Sequence, residues 1–392
     1  MNEVVIASAV RTPIGSFRGT ISSHSAPQLG AITVKSAVER AGVKPDQVDE
    51  VILGNVIQAG VGQAPARQAA IFGGLPTSVE CMTVNKVCGS GLKAVMLAAQ
   101  VVALGDANVV VAGGMESMSN VPYLLDKLRG GNKMGNVELV DALLKDGLLD
   151  VYNNSLMGNA AELCARECQI PREAQDEYAI MSYTRAQQAT KEGRFANEII
   201  GVEVEGRKGE KTTVLVDEDP TNTSFDKIPK LKPAFQKDGT ITAANASKIS
   251  DGAAALVITS AEHAKKLGLK PLARIISQAS SAKDPLWFST APADVIAKIL
   301  KRANLSIKDI DLFEINEAFA VVALAVAKIA GLDTSKINVN GGAIALGHPL
   351  GASGARILVT LLHALEQHNL KRGLAALCIG GGESSAVIVE RI

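Results

Sequence analysis

Two stretches of this chain, 262 residues apart, carry one pattern, and any fold has to build it twice. In "ERAGVKPDQVDEVILGN" (39–55) and "KRANLSIKDIDLFEINE" (301–317), Arg40 matches Arg302, Ala41 matches Ala303, Val48 matches Ile310 and Asp49 matches Asp311. Each copy reads as a helix end, a short turn and a buried strand. Further on, "CGSGLKAV" (88–95) lies over "GASGARIL" (351–358), pairing Ser90 with Ser353 and Gly91 with Gly354. In each copy the small residues open an apolar helix of about four turns. A strand and a glycine pair follow, "NVVVAGGMES" (108–117) and "AALCIGGGES" (375–384), a match that sets Cys378 opposite Val111. One supersecondary unit is present twice.

The copies end differently. The second closes at once with "SAVIVERI", whereas the first leaves the pattern after Ser117 and resumes with "DGAAALVITS" (251–260). Three parts result: residues 1–118 with 249–272, an insertion over 119–248, and a second half over 273–392. Within the insertion, "REAQDEYAIMSYTRAQQATKEG" (172–193) reads as an amphipathic helix opened by Pro171 and closed by Gly193. The charged stretch from Arg207 to Pro233, broken by Pro220, Pro229 and Pro233, reads as surface loop. Strands and helices alternate at βαβ spacing, which predicts layered α/β halves with mostly buried sheets. Lys+Arg and Asp+Glu are 40 each, so no charge excess favours nucleic acid or an anionic membrane. No apolar run approaches the ~20 residues of a membrane span. The start, "EVVIASAV", reads as a strand with no leader before it, and five cysteines fit free thiols in a reducing, cytoplasmic setting.

Three readings compete for Cys88: a small core residue, part of a dinucleotide loop, or a nucleophile. The helix mouth favours a thiolate through its N–H groups and dipole, and the glycines leave room for a substrate. Gly351 occupies the matching place, so the fold itself does not require sulfur there. Gly89, Gly91 and Ala94 fit G-x-G-x-x-A, yet "VNKVC" is a poor first strand for that motif. His348, flanked by Gly347 and Pro349, belongs on a turn at a sheet end. A turn histidine is ordinarily a solvated bystander, but the repeat sets this turn opposite Cys88, as an activated Cys–His nucleophile requires. Cys378 ends a buried strand, and Glu314, Asn316 and Glu317 end another, where sites gather in α/β folds. Cys164 and Cys168 read as helix packing because no ligand partners stand at metal spacing. Cys81 reads as core, and His24, His263, His363 and His368 as polar or surface positions without a role.

Together, "NKVCGSGLKA", "GGMESMS", "NASKISDGAAA", "NEAF", "NGGAIALGHPLGASGAR" and "CIGGGES" resemble the thiolases, in order and over the whole chain. "IPKLKPAF", "TITAANAS" and "SYTRAQQA" place the resemblance in the short-chain branch, which joins two acetyl-CoA molecules into acetoacetyl-CoA and CoA. It implies two homologous halves in a five-layered α-β-α-β-α arrangement, the insertion as a loop domain over coenzyme A, and a homotetramer built from two dimers. It also implies a thioester-forming Cys88 whose proton passes to His348, and Cys378 as the acid or base at the second acetyl group. Asn316, through a water, and His348 would hold the enolate oxygen. The N–H groups of Cys88 and Gly380 would hold the acyl oxyanion, each donor worth ~3 kcal/mol. Ser247 would lie near the pantetheine amide, and Leu148, Met157, Phe235, Ala243, Ala318 and Phe319 would line its tunnel. Coenzyme A thioesters are then substrates, with no further cofactor and no metal.

Leu156 stands where many biosynthetic members carry histidine, and Pro220 where an aromatic or basic residue often stands near the adenine or a potassium site. The resemblance therefore implies no potassium requirement, and "WFS" (287–289) bears on tolerance of a 2-methyl branch. Three other functions compete with the short-chain enzyme: a 3-ketoacyl-CoA thiolase of fatty-acid β-oxidation, a thiolase-like binding protein without turnover, and an NAD-dependent dehydrogenase. Cys88, His348, Cys378 and Asn316 together oppose the binding protein, and only the glycine match supports the dehydrogenase.

Overall fold

A computed structural model describes residues 1–206 and 209–392. The sheet strands are β1 (Val4–Arg11), β2 (Glu50–Gly54), β3 (Glu80–Val84), β4 (Val109–Ser117), β5 (Ser250–Ser260), β6 (Ala273–Ala282), β7 (Leu312–Ile315), β8 (Arg372–Ile379) and β9 (Glu383–Arg391). The helices are α1 (Ala26–Ala41), α2 (Pro65–Phe72), α3 (Ser90–Leu104), α4 (Met157–Glu167), α5 (Arg172–Lys191), α6 (Ala261–Leu267), α7 (Ala291–Ala303), α8 (Ala320–Ala330), α9 (Ala343–Leu346) and α10 (Leu350–Gln367).

The repeat is visible bond by bond. Helices α1 and α7 both end on a left-handed residue, Gly42 at φ 73° and Asn304 at φ 54°, the two residue types that tolerate that conformation most readily. Each is followed by one 3-10 turn, Pro45–Gln47 or Ile307–Asp309, and then by β2 or β7. The matched aspartates act alike. Asp49 Oδ2 accepts the N–H of Asn108 and Val109, and Asp311 Oδ2 accepts those of Lys371 and Arg372, so each clamps the start of the next strand. A bulge even recurs, between Ile6 and Ser8 in β1 and between Ile275 and Ser277 in β6.

The strand order is β7-β8-β9-β6-β1-β5-β4-β2-β3, with Gly15–Ser16 added on β5. The half-sheets are joined where β1 pairs β6 antiparallel at Val5–Arg274 and Ile6–Ala273. Helices α3 and α10 lie back to back between the halves, in a core with Leu92, Val95, Leu256, Leu358 and Val387. α1 and α2 cover the outer face of the first half-sheet, and α7 and α8 that of the second. Five layers result, their apolar interfaces worth about 2 kcal/mol per buried Leu or Val. Val87–Leu104 is long and apolar enough by composition to span a membrane, contrary to the expectation from hydropathy; here it is a core helix.

Register corrects one alignment. β2 pairs β4 with Leu53 opposite Gly113, and β7 pairs β8 with Ile315 opposite Ala376. Leu53 and Ile315 are equivalent, so Cys378 corresponds to Met115 rather than Val111. The two glycine pairs misled the alignment: Gly113 and Gly114 lie inside β4 against backbone, whereas Gly380 follows β8. The second unit's helix also starts earlier, at Leu350, and runs 18 residues.

In the insertion, α5 follows Pro171 and stops before Gly193 (φ 69°), as its sequence suggests. The charged stretch is less loop-like than expected. Arg207, where it begins, and Lys208 lie outside the described residues. Lys211–Val214 pairs with Val202–Glu205, and Asp217 is buried in a bidentate bond to Arg11, which Glu198 also holds. An arginine buried in β1 would be costly alone, so its pairing with Asp217 anchors this stretch to the core.

Candidate active site

Cys88 stands two residues ahead of the first helical residue of α3, on a turn the backbone alone would not choose. Val87 sits at φ 46°, an unfavourable place for a β-branched residue. Side chains hold it there. Asn85 Oδ1 accepts the Val87 N–H at 3.0 Å, Ser90 Oγ accepts the Lys86 N–H at 2.9 Å, and the Ser90 hydroxyl donates to Val87 O at 2.6 Å. The half-buried sulfur faces the amides of Gly380 and of Cys88 itself.

Burial pushes this thiol up to about 11; the Glu116 carboxylate acts in the same direction, while the two amides oppose both. The helix mouth therefore does not make a resting thiolate: desolvation outweighs the amide contribution. Nor do the glycines open space for a substrate. A Cβ on Gly89 would meet Ile379 Cδ1 at 2.3 Å, and one on Gly91 would meet Ala355 N at 2.8 Å and Gly351 O at 2.9 Å. They let α3 press against β8 and α10.

His348 lies between α9 and α10, buried rather than solvated, its N–H donating to Lys248 O at 3.0 Å. Its tautomer follows from Ser353. That hydroxyl donates its one hydrogen to Pro349 O at 2.8 Å, so at 2.6 Å from His348 Nδ1 it must accept. Nδ1 then carries the proton, and Nε2 offers a lone pair. Burial, with the Arg356 charge second, lowers the imidazole to about 3, so it is neutral at physiological pH.

Asn316 is fully buried beyond the end of β7, its Nδ2 3.4 Å from His348 Nε2 and its Oδ1 without a hydrogen-bond partner among the described residues. A buried, unpaired carbonyl oxygen is an acceptor held ready for a donor. Glu317, next in sequence, points away: Tyr178, Ser182, Asn338 and the Ile344 N–H all donate to it. It fastens α5 to the loop before α9, and a Cβ on Gly342 would strike its carboxyl at 2.3 Å. Glu314 also leaves the site for Arg356, 3.5 Å away, and burial pushes its carboxyl up to about 8. Cys378, buried at the end of β8, has its thiol raised well above the ordinary value by burial and then by the charge of Cys88.

A cavity of about 590 Å³ reaches this group at His348. His348, Leu148, Met157, Phe235, Ala243, Ser247 and Phe319 line it. Ala318 stands behind the wall, its carbonyl accepting the Ser247 N–H at 3.0 Å. Phe235 packs edge-on to Phe319 with ring centres 6.0 Å apart, which Gly158 permits because a Cβ there would sit 2.4 Å from the Phe235 ring. The result is a mostly apolar channel with few polar groups, as a long thin amphipathic arm requires. Leu156, which departs from the biosynthetic pattern, is on this wall as well.

The sequence concealed Glu116. Buried behind Cys88, it accepts from Asn55 Nδ2 and from the N–H of Val56, Ile57 and Gly351. Burial raises it to about 7 against the pull of those amides. Its place after the Gly113–Gly114 pair was the available signal. Ser353 was visible only as a repeat position. One minor expectation fails, since His363 is buried, its Nε2 3.1 Å from Ala9 O, while Cys81 is half-buried on β3 and packs against the core of the first half. Cys164 and Cys168 pack within α4 and at its end, 3.9 Å apart. Among the described residues, no cluster of three or more His, Cys, Asp or Glu could hold a metal ion.

Residues 4–262 match the family model for the thiolase N-terminal domain and residues 269–391 that for the C-terminal domain. An acetyl-CoA acetyltransferase of Cupriavidus necator is 55% identical, covering all of both chains. The mitochondrial acetyl-CoA acetyltransferase of Rattus norvegicus is 52% identical, over all of this chain and 92% of its own. A crystal structure of the Bacillus anthracis acetyl-CoA acetyltransferase superposes with a TM-score of 0.98 at 42% identity, covering 100% of this chain and 99% of that one.

Proposed function

Because this chain belongs to the thiolase family, we propose that it is an acetyl-CoA C-acetyltransferase, joining two acetyl-CoA into acetoacetyl-CoA and CoA and reversing the reaction. The observation that carries this reading is the polarity of the Cys88–His348 group: a neutral imidazole with its lone pair on Nε2, and two amides aimed at the sulfur.

In acylation, Cys88 loses its proton to His348 Nε2 as the sulfur bonds to the acetyl carbonyl carbon. The resting thiol and neutral base make this a proton transfer during attack rather than a preformed ion pair. The amides of Cys88 and Gly380 take the oxyanion, and CoA leaves with the proton returned by His348. In condensation, Cys378 passes its thiol proton to His348 Nε2, and the resulting thiolate removes a proton from the methyl group of the second acetyl-CoA. The carbanion bonds to the acetyl-Cys88 carbon, the Cys88–carbon bond breaks to free acetoacetyl-CoA, and the departing Cys88 sulfur takes the proton held by His348. In cleavage the same thiol protonates the acetyl-CoA carbanion, and a Cys378 pushed well above its usual range rests in that donor form. Asn316 Oδ1, through a water, and His348, while its Nε2 carries that proton, serve the enolate oxygen.

The reading extends to a homotetramer of two dimers, a cytoplasmic setting, no nucleic-acid or membrane partner, no cofactor besides the CoA substrates, and no potassium requirement. A clear gain in activity on replacing sodium by potassium would remove the last point. The deciding experiment is CoA-dependent cleavage of four-carbon and eight-carbon 3-ketoacyl-CoAs side by side. Preference for four carbons is expected. Equal or faster cleavage of eight would move the enzyme to fatty-acid β-oxidation with the same catalytic residues, and cleavage of neither would end the enzymatic reading.

A further inference from the structure

Lys248 lines the channel wall between Ser247 and Ile249, and nothing in the acyl-transfer chemistry uses it. Its two ends serve different neighbours. The main-chain carbonyl accepts the His348 N–H at 3.0 Å and the Ser250 hydroxyl at 3.0 Å. The side chain turns back, and Nζ donates to Ala243 O at 2.6 Å, lies 6.0 Å over the ring of Tyr183 on α5, and feels the charge of Asp219, whose carboxylate accepts from Ser16 Oγ. Burial lowers the ammonium of this half-buried side chain.

A carbonyl oxygen, a π face and one carboxylate nearby are the surroundings that hold a small, weakly hydrated monovalent cation. Here the cation is covalently attached. It closes the segment from Ala243 to Lys248 into a ring, and Ala243, Ala246 and Ser247 of that ring line the channel. The same ring is bonded to Ala318 and Phe319, next to Asn316 and Glu317, through the Ser247 N–H and the Ala246–Phe319 bridge.

We propose that Lys248 is a positioning residue: its ammonium is a tethered monovalent cation that presets the channel wall for coenzyme A. The proposal deepens the CoA-thioester reading and rests on it. Removing the charge while keeping the apolar stem should loosen the wall and create a vacancy that free ammonium or potassium ion can fill.

The test compares wild type, Lys248→Met and Lys248→Arg at constant ionic strength, with tetramethylammonium as the control cation. In cleavage of acetoacetyl-CoA, Lys248→Met should raise KM for CoA about tenfold, the scale of one charged hydrogen bond with a cation–π contact, with kcat within about twofold. Ammonium or potassium should recover much of that rise in the methionine variant and do nothing for wild type. Lys248→Arg should fall between them. Thermal unfolding supplies a readout free of turnover: the methionine variant alone should gain melting temperature with the small cations. An unchanged KM, or a raised KM with neither rate nor melting responsive to small cations, overturns the proposal. A wild type inert towards acetoacetyl-CoA sinks the functional reading instead, and the melting comparison still decides the role of Lys248.

Discussion

The molecule contains the same helix mouth twice and uses only one for chemistry. At the start of α3 the equivalent positions carry Cys88, and at the start of α10 they carry Gly351. The partners differ in step. Asn316 of the second half is matched by Gly54, and Cys378 by Met115. At α10 the mouth is sealed: a Cβ on Gly351 would meet Met115 O at 2.6 Å and Asn55 Cα at 2.9 Å, and the Glu116 carboxylate accepts the Gly351 N–H. At α3 the amides of Cys88 and Gly380 face a sulfur instead of a carboxylate. A helix N-terminus offers the same N–H donors in both places. What it binds is decided by the residue the neighbouring strand end presents.

Exchanging demands between the mouths tests that difference. Cys88→Ser should lose about a thousandfold or more of turnover and melt like wild type, because the hydroxyl fits but is a far poorer nucleophile; a variant keeping a tenth of wild-type activity would break the assignment. Gly351→Ala should do the opposite, costing about 2 kcal/mol of stability through backbone contact, read as a lowered unfolding midpoint with near-normal turnover per folded molecule. Ser353→Ala releases the Nδ1 proton of His348 and should lower kcat about tenfold with little change in KM; an unchanged kcat would mean the tautomer is held otherwise. Iodoacetamide labelling of Cys88 should keep accelerating up to pH about 11, whereas a plateau near pH 7 would restore the preformed thiolate. The smallest effect concerns Glu116. Held near 7 in the fold against an ordinary 4.5, it binds a proton that the unfolded chain has released, so its contribution to stability falls as pH rises through that window. Glu116→Gln should flatten that slope in denaturant titrations.

Much of this was legible before any coordinates. The matched aspartates, the left-handed helix ends and the small residues at both mouths are local devices, and local devices leave local spacing. The register of β8 was not legible, because bonds between strands far apart in sequence set it, and two unrelated glycine pairs imitated a match. The glycines beside Cys88 looked like room for a ligand since a sequence does not say which surface fills the space; Ile379 and Ala355 do. The protonation state of Cys88 was misjudged for a similar reason: helix-mouth amides can be inferred from spacing, but the desolvation opposing them depends on everything packed around the sulfur. Glu116 escaped because all four of its donors lie elsewhere in the chain.

The seam between the half-sheets has a consequence for synthesis. β1 is made first, yet its sheet partners are β5 and β6, which begin at Ser250 and Ala273. On a ribosome the opening strand must wait for about two thirds of the chain before either edge can be satisfied. Until then "VVIASAVR" is an unpaired apolar edge of the kind that associates with other nascent chains. Such pairing makes folding slow and the emerging first half dependent on holding factors, so a truncation ending before Ser250 should aggregate however sound its own helices are.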